Sequence, residues 1–230
     1  MNHRIALLLA ASCLTASAAS ATEWRTLSLP EGTTGQWVLG DARVNGVPMQ
    51  TQQLSSRLSA QQLLSYFEGQ WKRWGAVQQG AQAGWQTLSV NTGPVQLTLQ
   101  VKDRQGGGSS ALLTQAAWPE RQREFLPPEL PNLPRTVPHQ VTESLDGHRR
   151  SRLVQLASND NLELNRQRWQ AHARRKGWTL IMEKLVRQSD QQHWLASYST
   201  ANAHAVDIVL TQSSNGAETS ITANFLDTAP

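Results

Sequence analysis

Residues 119–138 read PERQREFLPPELPNLPRTVP and hold six of the ten prolines in the chain. Each proline fixes φ, removes a backbone donor and pushes the residue before it toward extended backbone. A helix or a central strand does not tolerate that density. The stretch predicts a semi-rigid connector. Its apolar residues Phe125, Leu126, Leu130 and Leu133 lie either in a groove between the flanking segments or on one of them. The connector divides the chain into residues 22–118 and 139–230.

The two flanking segments carry the same signals in the same order. Asn45-Gly46 and Asp146-Gly147 are two-residue hairpin turns, because a type I′ turn needs positive φ at both positions. The first pairs Trp37–Val44 with Val47–Ser55, the second Gln140–Leu145 with His148–Ala157. A helix follows each hairpin. Ser59 and Gln62 form a capping box, and Leu64, Phe67, Trp71 and Trp74 recur on one helical face. Gly75 ends this helix in the left-handed region. Asp160 and Glu163 form the equivalent cap in the second segment. There Trp169 and Ala173 take the places of Phe67 and Trp71, and Gly177 is the stop.

Strand patterns close each segment: Trp85–Val90, Val95–Val101 and Ala111–Trp118, then Trp178–Val186, Trp194–Thr200, Val206–Gln212 and Thr219–Leu226. Gly106-Gly107-Gly108 and Ser214-Asn215-Gly216 mark the last turns, and Leu113-Thr114 matches Ile221-Thr222. The helix-ending glycines lie 102 residues apart and the turns 101. The expected fold class is therefore α+β: two tandem, duplicated modules. Each is a β-hairpin, one helix and an antiparallel meander, with the helix packed on one sheet face.

Residues 1–21 have the parts of a secretory leader: His3 and Arg4, an apolar run from Ile5 to Ala11, and Ala19-Ser20-Ala21 as the cleavage site. Cleavage makes Thr22 the first residue of an exported, periplasmic or secreted chain. The apolar run is too short for a permanent anchor. Cys13 offers an alternative, lipidation as an outer-membrane lipoprotein, although Ala10 stands where that pattern prefers leucine. Without the leader the chain has no cysteine, hence no disulfide or thiol chemistry.

Hydrophobic residues make up 39% of the chain and charged residues 17%, with nine tryptophans. That suits two small aromatic-rich cores. The formal charge is +4, or about +3 once Arg4 is gone. Residues 22–118 carry seven basic and five acidic side chains, residues 139–230 ten and nine. Neither half is a basic domain, so no nucleic acid is expected as a partner.

No catalytic motif is present. There is no HExxH, and no Gly-x-Ser-x-Gly elbow. Asp41, Asp103, Asp146, Asp160 and Asp190 sit at turns and caps, which explains them without chemistry. Gly106-Gly107-Gly108 joins two strands and so is no phosphate loop. His193, His204 and Asp207 could meet across neighbouring strands as a weak metal site. No cofactor is expected.

Two surface features remain. The basic set Arg149, Arg150, Arg152, Arg166, Arg168, Arg174, Arg175 and Lys176 offers either an anion-binding surface or a solvated helix face with arginine stems over Trp169. Trp24, Trp37 and Trp118 fall near segment ends. Trp37 and Trp118 are candidates to stack on a sugar or anchor an interface.

Three functions follow. The first is a non-enzymatic cell-envelope protein that binds a protein partner, its sheet edges open to strand addition. The second is a binding module for cell-wall glycan or anionic lipid. The third is a hydrolase assembled between the halves without a motif.

Overall fold

The structure, a computed structural model, describes residues 23–118, 126–146, 148–200, 204–213, 216 and 218–228. The leader, Thr22, Cys13, Phe125, and the turn residues Gly147, Ser214 and Asn215 lie outside the described residues. In chain order the elements are β1 (Thr33–Val44), β2 (Val47–Ser56), α1 (Ala60–Trp71), β3 (Val77–Gln82), β4 (Trp85–Asn91), β5 (Val95–Asp103) and β6 (Ser109–Ala117). Then come β7 (Thr136–Asp146), β8 (Arg149–Ser158), α2 (Leu162–Arg175), β9 (Thr179–Gln188), β10 (Gln191–Ser199), β11 (Ala205–Ser213) and β12 (Thr219–Thr228).

All twelve strands form one antiparallel sheet, in the order β3-β4-β5-β6-β2-β1-β7-β8-β12-β11-β10-β9. Read outward from its centre, the sheet gives the same succession on both sides. This corrects the expected α+β class of two separate modules. Of the described residues 58% are strand and 14% helical, in a single sheet with two helices. Alternation along a strand reports which face is buried, not which edge finds a partner. The joining of the two hairpins therefore leaves no trace in the pattern.

The central joint is short. Ala42, Arg43 and Val44 of β1 pair with Ser144, Glu143 and Thr142 of β7. Asn45 extends it by one step. Its N–H donates to the Val141 carbonyl at 2.8 Å, and its side-chain oxygen accepts from the Val141 N–H at 2.8 Å. Asn45 sits at φ +50°, a conformation that asparagine tolerates better than most residues. A side-chain amide thus stands in for ladder backbone where the first hairpin turns away. Thr33–Leu39 of β1 have no strand on this side among the described residues, and nor do Thr136–Gln140 of β7.

Several local expectations need adjusting. Ser59 is the N-cap of α1 and forms the capping box with Gln62. In α2 the N-cap is Asn161, whose side chain accepts from the Leu164 N–H, not Asp160. The Asp160 carboxylate is held instead by Arg135 and Arg168. Helix α1 stops at Trp71, short of Trp74. Gly177 has φ +68°, but Gly75 does not adopt positive φ; a Cβ there would lie 2.8 Å from the Asn91 carbonyl oxygen. Strand β3 (VQQGAQ) was not expected. It is the counterpart of β9 at the other end of the sheet, and its polar residues give no alternation to read.

The expectation of an extended connector fails at its end, because β7 begins at Thr136. Pro138 is accommodated where the ladder to β8 shifts register, between Pro138 and Gln140. A bulge is where a strand can lose a donor. Leu126, Leu130 and Leu133 pack against the core of the second half. Trp24, Leu27 and Leu29 do the same for the first half.

Each half has its own core. Leu63, Leu64, Phe67 and Trp71 of α1 join Leu88, Leu97, Leu99 and Ala111. Trp169 and Ala173 of α2 join Val154, Trp194, Ile208 and Phe225. The polar residues of the alternating strand pattern form the other face, where Thr51 and Thr114 hydrogen-bond across strands at 3.0 Å. An antiparallel sheet with one packed and one wet face gives this pattern.

Candidate functional site

The basic set splits in two. Arg152, on β8 among the core residues, donates from Nη1 to Glu129 Oε2 at 2.9 Å. Its Nη2 donates to Glu129 Oε1 at 3.1 Å and to Asp227 Oδ2 at 2.6 Å. Its guanidinium also lies 5.8 Å from the centre of the Phe225 ring. Burial opposes the charge, but the two carboxylates outweigh it and hold the guanidinium pKa above its ordinary value. Arg166 is paired with Glu163 and Glu183, and Arg168 with Asp160. These three arginines are paired with carboxylates within the fold.

Arg149, Arg150, Arg174, Arg175 and Lys176 are exposed and form no ion pair among the described residues. Arg174, Arg175 and Lys176 close α2, where cations complement the helix dipole. A chain of contacts brings this helix end to the Arg152 end of β8. His172 lies 5.3 Å from Trp178, and Trp178 lies 6.5 Å from Phe225, ring centre to ring centre.

The candidate metal set does not assemble. His193 faces Thr211 at one end of the β10–β11 pair, with Nδ1 3.0 Å from Thr211 Oγ1. His204 lies beyond the other end, roughly 20 Å away along the strands, with Nδ1 3.1 Å from Asp227 Oδ1. Asp207 accepts from Ser197 Oγ at 2.6 Å. Among the described residues no group of three or more His, Cys, Asp or Glu is placed to hold a metal ion.

Trp37 and Trp118 are both exposed, at 53% and 57%, but the fold does not bring them together. Trp118 follows β6 and its N–H reaches the Pro94 carbonyl at 3.3 Å. Trp37 lies in the middle of β1, opposite Gln52.

Sequence reasoning missed two features. The first is the placement of β9, reading TLIMEKLVRQ: a strand is expected over Trp178–Val186, but not that it ends the sheet with one edge unpaired among the described residues. Leu180, Ile181, Met182 and Leu185 are all exposed, Ile181 at 66%. The strand is nonetheless held firmly. Glu183 accepts from Trp194 Nε1 at 2.6 Å and from Gln170 Nε2 at 2.8 Å, which ties β9 to the core and to α2. The opposite sheet end, β3, is short, polar and interrupted by Gly80. The signal available in the sequence was an apolar content too high for a strand covered on neither face.

The second is a cavity of about 230 Å³ on the helix side of the first half, lined by Arg25, Leu27, Trp37, Gln50, Gln52 and Gln115 among others. A larger cavity of about 620 Å³ lies between residues 126–138 and Leu156, walled mostly by proline and leucine. Among the described residues, neither is lined by a carboxylate or a histidine.

No helix among the described residues is long and apolar enough to cross a membrane, which says nothing of crossing by strands. No family model, no curated protein and no solved structure matches this chain.

Proposed function

We propose that this chain is a non-enzymatic protein-interaction module of the cell envelope, exported behind a leader at residues 1–21. The partner is a protein that contributes an extended segment, which adds as a further strand beside β9.

The observation that carries this reading is β9 itself. A long, unpaired edge strand with large apolar side chains in solvent is what soluble proteins avoid unless something covers it. Its backbone donors and acceptors supply affinity in strand addition, and its side chains supply selectivity.

The test is a photo-crosslinking amino acid at position 181 of the tagged full-length chain in its native cell, read by mass spectrometry. A discrete protein adduct whose crosslinked peptide is an extended segment is expected. The absence of any protein adduct at 181, with normal export, overturns the reading. The same spectra report the first residue of the exported chain.

Anionic lipid is the second reading, favoured by the five exposed cations at one end of the second half that form no ion pair among the described residues. It predicts co-sedimentation with phosphatidylglycerol vesicles that is lost in the Arg174→Ala, Arg175→Ala double variant.

A further inference from the structure

We infer that the cavity between β1, β2, β6 and residues 25–27 is a binding site for one pyranose ring of an uncharged glycan. Two rows of the pleat build its floor. Trp37, Gln52 and Leu113 are in register across β1, β2 and β6, and Gln50 pairs with Gln115 in the next row on the same face. Bulges in β1 between Trp37 and Leu39, and between Leu39 and Ala42, bend the strand at this point. A bulge re-aims a side chain in this way.

The three glutamines are not alike. Gln115 is satisfied: its Oε1 accepts from the Arg25 N–H at 2.9 Å, and its Nε2 donates to the Arg25 carbonyl at 2.9 Å. This pins the segment that roofs the cavity. Gln50 is only 9% exposed, yet its amide makes no hydrogen bond among the described residues, and neither does that of Gln52. Gln50 is buried as a residue and Gln52 half-buried, but both amides stay open to the hollow, so they leave donors and acceptors there for a ligand to take up.

The second half shows what this position becomes when it only needs to be filled. By sheet order and register, Gln50, Gln52, Leu113 and Gln115 correspond to Arg152, Val154, Ala223 and Phe225. There Val154 and Ala223 are fully buried, and Arg152 is closed off by Glu129, Asp227 and the Phe225 ring. The first half keeps the space and lines it with amides.

The chemistry of the lining selects the ligand. Each glutamine offers two donors and a carbonyl acceptor, which matches neighbouring hydroxyl groups. The half-exposed indole of Trp37 offers an apolar face for the C–H side of a sugar ring. Arg25, the one charge among the described lining residues, is occupied by the Thr92 carbonyl at 3.4 Å and lies 5.6 Å from the Trp74 ring centre. Nothing in the cavity requires a charged ligand, and its volume suits one ring, with the rest of a chain leaving past Trp37.

The test uses the full chain and a panel of methyl glucoside, methyl galactoside, N-acetylglucosamine and its β-1,4-linked trisaccharide. Binding is read by saturation-transfer NMR and calorimetry. At least one sugar is expected to bind saturably. Affinity should fall at least tenfold in Gln52→Leu and in Trp37→Ala, and stay unchanged in Trp118→Ala. Gln50→Met, close in shape but without the amide, separates recognition from folding: it should lose binding while its melting temperature holds or rises. Failure of every sugar to bind overturns the proposal. So does binding that ignores the cavity variants, or a peptide instead of a sugar recovered at position 37.

Discussion

Arg152 and Glu129 are joined by two parallel hydrogen bonds, at 2.9 and 3.1 Å, between the eighth strand and the segment that enters the second half. Glu129 also presents its backbone carbonyl to His172 Nε2 at 2.8 Å. One residue of the proline-rich stretch therefore ties a strand and a helix to the covering segment. Arg152 is largely buried, while Glu129 is more than a third exposed, so solvent screens part of the attraction. Glu129→Gln should lower stability by roughly 2 kcal/mol, the range for charged hydrogen bonds at a partly buried site. Urea denaturation of the variant checks this, and a change within about 0.5 kcal/mol would show the contact to be ornamental.

His172 gives the second half a pH dependence. Burial pushes its pKa below the ordinary 6.5, the hydrogen bond to the Glu129 carbonyl raises it, and the nearby charges of Lys176 and Arg175 lower it again. The net shift is downward. The unfolded chain therefore takes up a proton at a pH where the folded chain does not. This contribution is fully present above pH 6.5 and is lost as pH falls through the lower folded value. Unfolding free energy measured between pH 7.5 and 5 should decline, and the decline should flatten in His172→Gln. A decline of equal slope in that variant would assign it to other groups.

What the sequence discloses here follows from distance along the chain. The Ser59–Gln62 cap and the Asn45-Gly46 turn are settled by neighbouring residues, so they are legible. Asp160 and Asn161 were not separable as caps, because the choice depends on Arg135 and Arg168 claiming the Asp160 carboxylate. Strand β3 is exposed at nearly every position and leaves no period to detect. The joining of β1 to β7 rests on backbone edges and one asparagine. Gln50 and Gln52 read as solvent-facing residues in any alternation pattern, although they face the helix side. Leu113 was matched to Ile221, whereas the ladders align it with Ala223; that two-residue slip hides the contrast between the filled and unfilled positions.

Asn45 is the residue on which the central joint turns. Alanine at 45 removes the acceptor for the Val141 N–H and places an unfavourable side chain at φ +50°. Loss of about 1–3 kcal/mol is expected from the hydrogen bond and the backbone strain together. Hydrogen exchange locates the effect better than a melting curve. The Val141 amide should lose protection in Asn45→Ala while amides of β5 and β11 keep theirs. Uniform loss across both halves would mean that the joint and the two cores open as one unit.

The edge of β9 gives the most direct separation of folding from binding. Ile181 and Leu185 are exposed and outside both cores, so lysine at each should change stability by no more than about 0.5 kcal/mol. Charge on an edge strand is also how proteins discourage strand addition. The Ile181→Lys, Leu185→Lys variant should therefore fold and export normally, yet lose its crosslinked partner. Its self-association in concentrated solution should fall as well, measured by sedimentation velocity. Comparable lysine substitutions at Gln79 and Ala81 on β3, the opposite edge, should leave partner capture unchanged. Capture that survives the β9 variant but fails in the β3 variant would move the docking surface to the other end of the sheet.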